Sequence, residues 1–209
     1  MSNPRLFAPV LAAAALALSA CATSPYTGPV EVTRFVAPVS ERAGLGQGTI
    51  AIAFPDEVSN ANARNAFAAA VAAELTALGY TVTDGPADQT AALRTTRTPI
   101  AAIQDRRGPV NVGVGGQTGS FGSGLGLGVG INLGGGREGP AAMTELSVRI
   151  TRTDNATLWE GRAQLATGIK SPYAQIGTSA RTLAAALFRD FPGGNGETVT
   201  INVKQLQGN

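Results

Sequence analysis

Apolar positions change period several times along this chain, and each change predicts an element. In "GTIAIAF", Gly48 to Phe54, Ile50 and Ile52 alternate with smaller residues, the two-residue period of a buried strand. The period then moves to three and four. Phe67, Val71, Leu75 and Leu78 share one face of a helix that Ser59 or Asn60 can cap, and Gly79 supplies a left-handed stop. Such a stripe is expected to pack on a sheet, because an amphipathic helix must bury its apolar side. "YTVTDG", Tyr80 to Gly85, returns to alternation and completes a strand-helix-strand unit, and "TAALRTT", Thr90 to Thr96, reads as a further short strand. The strongest pattern is "TELSVRITRTDNATLWEGRAQL", Thr144 to Leu165. Leu146, Val148 and Ile150 alternate with polar residues, Asp154 and Asn155 supply turn chemistry, and a second strand carries Leu158 or Trp159 inward. Trp159 is expected to cover the edge of the core rather than to mark a ligand site.

Near the end, a helix is expected to begin at Thr178 or Ser179, to bury Leu183, Leu187 and Phe188, and to stop by Pro192. "GGNGE" then reads as a loop and "TVTINV" as a final strand. These elements predict an α+β fold: a mixed or mainly antiparallel sheet with two helices packed on one face, plus a glycine-rich insertion. The domain is expected to span 30–203, with the insertion at 108–136 and a short tail at 204–209.

The insertion, "GPVNVGVGGQTGSFGSGLGLGVGINLGGG", carries no charge between Arg107 and Arg137. No Gly-Lys-Ser/Thr follows it, and Gly113-Val114-Gly115-Gly116-Gln117-Thr118 breaks the dinucleotide pattern at its last position, so nucleotide binding is not expected. Leu125, Leu127, Val129, Ile131 and Leu133 alternate with small residues, which is strand periodicity. Gly122, Gly126, Gly130 and Gly134 also form the four-residue ridge seen between packed membrane helices, but interior glycines cost a helix about 1 kcal/mol each. A hairpin or insertion protruding from the domain is therefore the preferred reading. It is either a low-complexity loop without a partner or a contact element, and Phe121, Leu125, Leu127, Val129 and Ile131 are the candidate partner contacts.

The first residues obey a different logic. "MSNPRLFAPVLAAAALALSAC" runs from a short segment with Arg5, through an apolar stretch from Leu6 to Leu18, to the small residues Ser19 and Ala20 before Cys21. That order is the one found in secretory signal peptides, and the stretch is shorter than the roughly 20 residues a membrane span needs. Leu18-Ser19-Ala20-Cys21 resembles the bacterial lipobox, in which the cysteine sulfur is diacylated, the leader (here 1–20) is cut off, and the new amino terminus receives an acyl chain such as palmitate. Cys21 is the lipidation candidate, and 21–29 reads as a polar tether. Several acyl chains hold a protein on a bilayer far more firmly than one. An aspartate after the cysteine is the familiar inner-membrane retention signal, so Ala22 points to the outer membrane, with the domain expected to face the periplasm.

Composition narrows the chemistry. Histidine is absent and there is a single cysteine, which removes the commonest general base, the commonest metal ligand and any intramolecular disulfide. No catalytic residue, metal or cofactor is expected, and the chain is read as a non-enzyme. Asp84 with Asp88 and Asp105 beside Arg106 are the nearest acidic groupings, and both lie in turn-like sequence, while Lys170 and Ser171 are adjacent but neighbouring residues in a strand point opposite ways and "GIKSPYA" shows no nucleophile elbow. Lysine and arginine number 16 against 14 acidic residues, an excess too small to indicate a nucleic-acid partner. Arg34, Arg94, Arg97, Arg106 and Arg107 are candidates for lipid phosphates, although a solvated rim is the default for arginine.

The lipobox at Cys21, the strand-helix-strand start, the "LSVRITRTDNATLWEGRAQ" hairpin and a closing helix ending "ALFRDFP" together resemble the bacterial lipoproteins that carry a domain of unknown function numbered 4136. In that family a tryptophan-glycine pair, here Trp159 and Gly161, precedes a last helix ending in phenylalanine-proline, here Phe191 and Pro192. The resemblance covers roughly 30–203 without the glycine tract and implies no activity. The expected function is a membrane-anchored envelope lipoprotein that binds another envelope protein or lipid. An accessory role in the assembly or transport of lipopolysaccharide or another amphiphile is the alternative.

Overall fold

In the computed structural model, which describes residues 25–56, 58, 60–100, 117–119, 122–124 and 141–206, the alternating stretches pair into one sheet and the helical stripes lie across it. The strands are β1 (Thr27–Val36), β2 (Thr49–Ala53), β3 (Thr81–Thr83), β4 (Gln89–Ile100), β5 (Gln117–Gly119), β6 (Gly122–Gly124), β7 (Ala141–Arg152), β8 (Thr157–Gly168) and β9 (Thr198–Ile201). Two helices, α1 (Ala61–Ala77) and α2 (Ile176–Phe188), complete the regular elements. Seven strands form the sheet in the order β3-β2-β4-β7-β8-β1-β9, and β5 pairs with β6 apart from it. β2 runs parallel to β3 and to β4, and every other pairing is antiparallel. The expected α+β class, with a mixed sheet and two helices, is the observed one.

Each local signal has a visible cause. Asn60 caps α1, its Oδ1 accepting from the Ala63 amide at 3.1 Å, while Ser59 lies outside the described residues. Phe67, Val71 and Leu75 are buried, Leu78 is half-buried, and Gly79 ends the helix at φ 106°. The β7–β8 hairpin turns at Asp154 and Asn155, with Asn155 at φ 65°, a left-handed position that asparagine tolerates. Along β1, Val30, Val32, Arg34 and Val36 are buried at every second position. Both helices join the inward faces of β1, β2, β4, β7 and β8 in one core around Trp159, Leu146, Ile150, Leu165 and Leu187. With one face covered, the other is open to water, as is usual for antiparallel sheets.

Four boundaries differ from expectation. β1 starts at Thr27, inside the segment read as tether, and a register shift between Thr27 and Val30 accommodates Gly28 and Pro29. β4 is longer than "TAALRTT" and continues to Ile100, each residue facing one on β7 down to Ala141. α2 starts at Ile176, ahead of Thr178 and Ser179. A 3₁₀ turn over Val203–Leu206 extends structure into the expected tail. Leu158 and Trp159 are both buried, because a register irregularity at Ile150/Thr151 breaks the alternation there.

Gly161 shows how tightly the core closes on β8. A Cβ placed there would lie 2.7 Å from Leu187 Cδ1 and 2.8 Å from Trp159 Cζ2, so the indole lies over a bare backbone. Gly161→Ala is expected to lower stability by about 1–3 kcal/mol, the range for overpacking a filled core. Urea unfolding followed by circular dichroism reads this directly, and an unchanged midpoint would contradict the packing described.

Candidate functional site

The side chains singled out from sequence fall into two groups. Cys21, Phe121, Leu125, Leu127, Val129, Ile131, Asp105, Arg106 and Arg107 lie outside the described residues. The others are placed, and the structure does not gather them. Arg94 is exposed and pairs with Asp56 at 2.8 Å. Arg97 donates from Nη1 to the Ala174 carbonyl at 2.7 Å. Asp88 Oδ2 accepts from the Thr49 hydroxyl at 2.7 Å and from its amide at 3.2 Å, and these bonds hold its carboxyl below the usual aspartate range. Ser171 is buried with its Oγ 2.7 Å from Thr27 Oγ1, and that Oγ also accepts from the Tyr173 amide. It is therefore a packing hydroxyl, with no lysine bonded to it. Among the described residues no three His, Cys, Asp or Glu side chains are grouped to hold a metal.

Arg34 departs most from expectation. It is not on a solvated rim but 5% exposed, on the inward face of β1 at the end of α2. Its Nε donates to the Leu187 carbonyl at 2.9 Å, and its Nη2 to those of Ala186 at 3.0 Å and Arg189 at 2.8 Å. A cation at a helix C-terminus satisfies carbonyls that have no partner within the helix and faces the negative end of the dipole. Burial lowers its pKa from the ordinary value, and Asp190 acts in the opposite sense. Beside it, Trp159 Nε1 donates to the Pro192 carbonyl at 2.9 Å, and the indole stacks on Phe188 at 5.4 Å and meets Phe191 at 5.3 Å. Trp159 is fully buried, so it lies inside the core rather than at its edge. An open depression of about 360 Å³ borders this knot, lined by Arg34, Asp190, Gly193, Val199 and Ile201 among others.

The open face of the sheet is laced by its own side chains. Glu145 accepts from Gln164 Nε2 at 2.6 Å and from Ser147 Oγ at 3.2 Å, with Arg162 Nε at 3.5 Å. Arg149 pairs with Glu160. Glu31, opposite Gln164, has its carboxyl pushed above the usual range by burial.

The two ends of the sheet differ. At one end Thr27 faces Thr167, Gly168 faces Ala141, and Ala141 faces Ile100, so the start of β1, the end of β4, the start of β7 and the end of β8 share one rim. Ser171, bonded to Thr27, leads through a 3₁₀ turn (Pro172–Ala174) into α2, which starts at this end. Between β8 and that turn, Ile169 is 54% exposed and Lys170 is exposed beside it. The opposite end carries the Asp154–Asn155 turn, Asp88 and the loop after β1.

No protein-family model matches the chain, and no curated protein matches it. Among solved structures, a PDZ domain protein from Parabacteroides distasonis is similar over 90% of this chain at 15% identity, with a TM-score of 0.51. The chain spans 42% of that protein's length. A PelC dodecamer from Paraburkholderia phytofirmans is similar over 75% of this chain and 92% of its own, at 12% identity and a TM-score of 0.38. At these identities the first likeness concerns the fold alone.

Proposed function

We propose that this chain is a lipid-anchored bacterial envelope protein of the type carrying domain of unknown function 4136. Its leader is cut before Cys21, that cysteine is acylated, and the α+β domain is held at the outer membrane facing the periplasm. There it binds another envelope component and performs no catalysis. The observation that carries the reading is Leu18-Ser19-Ala20-Cys21, with the chain's single cysteine at the end of an apolar run of leader length. The absence of histidine and the engagement of Asp88 and Ser171 in structural bonds favour a binding role over a reaction.

Radiolabelled palmitate fed to cells making the protein tests the anchor. The native chain is expected to take up label and to sediment with membranes after a high-salt wash. Cys21→Ser is expected to take up none and to keep its leader. Equal labelling of the two, or an unlabelled native chain, would overturn the proposal.

A further inference from the structure

We infer that the rim of the sheet formed by Thr27, Ile100, Ala141 and Gly168, with Ile169 and Lys170 at its tip, docks on an anionic lipid headgroup surface. The inference rests on the anchor proposed above, and specifies which face of the domain meets the bilayer.

Chain length comes first. β1 begins at Thr27, so even fully extended the stretch from Cys21 spans roughly 20 Å. β7 and β8 are 12 residues each, about 40 Å long at the usual rise. A short tether on a long sheet keeps the β1-start rim near the headgroups, and the Asp154–Asn155 turn is about a strand's length further away. Tethering raises the local concentration of that rim at the surface, so a weak patch suffices to hold it there.

Charge and polarity at this rim fit such a surface. From Leu165 to Phe188 the chain carries Lys170 and Arg181 and no carboxylate. Both cations are exposed, as is Arg97 on β4. Arg181 folds back over the first turn of α2, since a Cβ on Gly177 would lie 3.6 Å from its Nη1. The start of α2 has no acidic residue in its first turn and no side-chain cap, so the positive end of the helix dipole has the same sign. Along β1 and β7 the first carboxylates from the rim are Glu31 and Glu145, both on the open sheet face, and Glu145 is already engaged. Ile169, exposed between Gly168 and Lys170, is an apolar group beside a cation, the pairing that lies well at a headgroup boundary. Asp88 and Asp154 are at the other end, where they would oppose the inverted orientation.

Single nitroxide labels at Thr98→Cys, two strand positions above Gly168 in the ladder through β7, and at Val39→Cys, in the loop after β1 at the far end, test the orientation. The acylated full chain is reconstituted in vesicles of phosphatidylethanolamine with phosphatidylglycerol, and intact mass establishes that Cys21 is acylated. Relaxation by a lipid-borne nickel chelate is expected to be several-fold stronger at position 98 than at 39. Replacing Ile169 by Ser and both Lys170 and Arg181 by Glu is expected to remove most of that difference while the mass at Cys21 stays the same. Acylated protein with equal relaxation at the two labels, or with stronger relaxation at 39, overturns the docking and leaves the anchor standing. An unmodified Cys21 overturns the anchor itself.

Discussion

Trp159→Ala is expected to lower the unfolding free energy by about 3–5 kcal/mol, the range for truncating a fully buried tryptophan. Trp159 is completely buried, stacks on Phe188 with the rings 17° from parallel, and covers Gly161, where no side chain fills the gap. Truncation removes apolar contacts, opens a cavity beneath α2 and leaves the Pro192 carbonyl without its 2.9 Å donor. Trp159→Phe retains most of the packing and loses the donor, so it is expected to cost less than half as much. Denaturant unfolding followed by far-ultraviolet circular dichroism separates the two, since the chain's single tryptophan is the residue replaced. A loss below about 1 kcal/mol for Trp159→Ala would contradict a core built on this ring.

Arg34→Met is expected to destabilise the fold by about 3 kcal/mol, because it removes three hydrogen bonds to a charged group. Removing a buried charge relieves its desolvation, and replacing a whole buried ion pair by apolar residues is often neutral or stabilising. Here Arg34 is bound by carbonyls and forms no ion pair among the described residues, so methionine would orphan the carbonyls of Ala186, Leu187 and Arg189 at a buried helix end. Hydrogen bonds to a charged group contribute about 1.5–3 kcal/mol each, so losing three outweighs the relief. Arg34→Lys keeps the charge but not the planar fork, and is expected to restore only a minority of the loss. Unfolding midpoints for the two variants decide the matter. Methionine matching the native residue would mean that those carbonyls are satisfied some other way.

These two residues mark where the sequence was legible and where it was not. The α1 stripe at Phe67, Val71 and Leu75, and the alternation through Leu146, Val148 and Ile150, depend on local periods, and those elements formed as read. Gly79 and Asn155 announced their turns through residue type, and both have positive φ. Arg34 carried two opposed signals. Its place in "VEVTRFV" points inward by alternation, while its charge points outward by composition. What resolves the conflict is the end of α2, more than 150 residues later, which supplies the carbonyls. The last part of β4, Thr95 to Ile100, shows the same dependence: it has no apolar alternation and is a strand because β7 pairs with it along its whole length. Trp159, Gly161, Phe191 and Pro192, the residues that carried the resemblance, meet in this chain: the indole lies over Gly161, meets the Phe191 ring and donates to the Pro192 carbonyl. Cys21 and, apart from β5 and β6, the glycine tract lie outside the described residues.

The central claim is that the domain is held at a membrane by lipid on Cys21. The measurement that tests it most directly is the intact mass of the chain's amino-terminal peptide, isolated from cell envelopes. The account predicts a peptide beginning at Cys21 and heavier than its amino acids by the acyl chains on sulfur and nitrogen. A peptide beginning at Met1 with a free thiol, or cut elsewhere and unmodified, would contradict it.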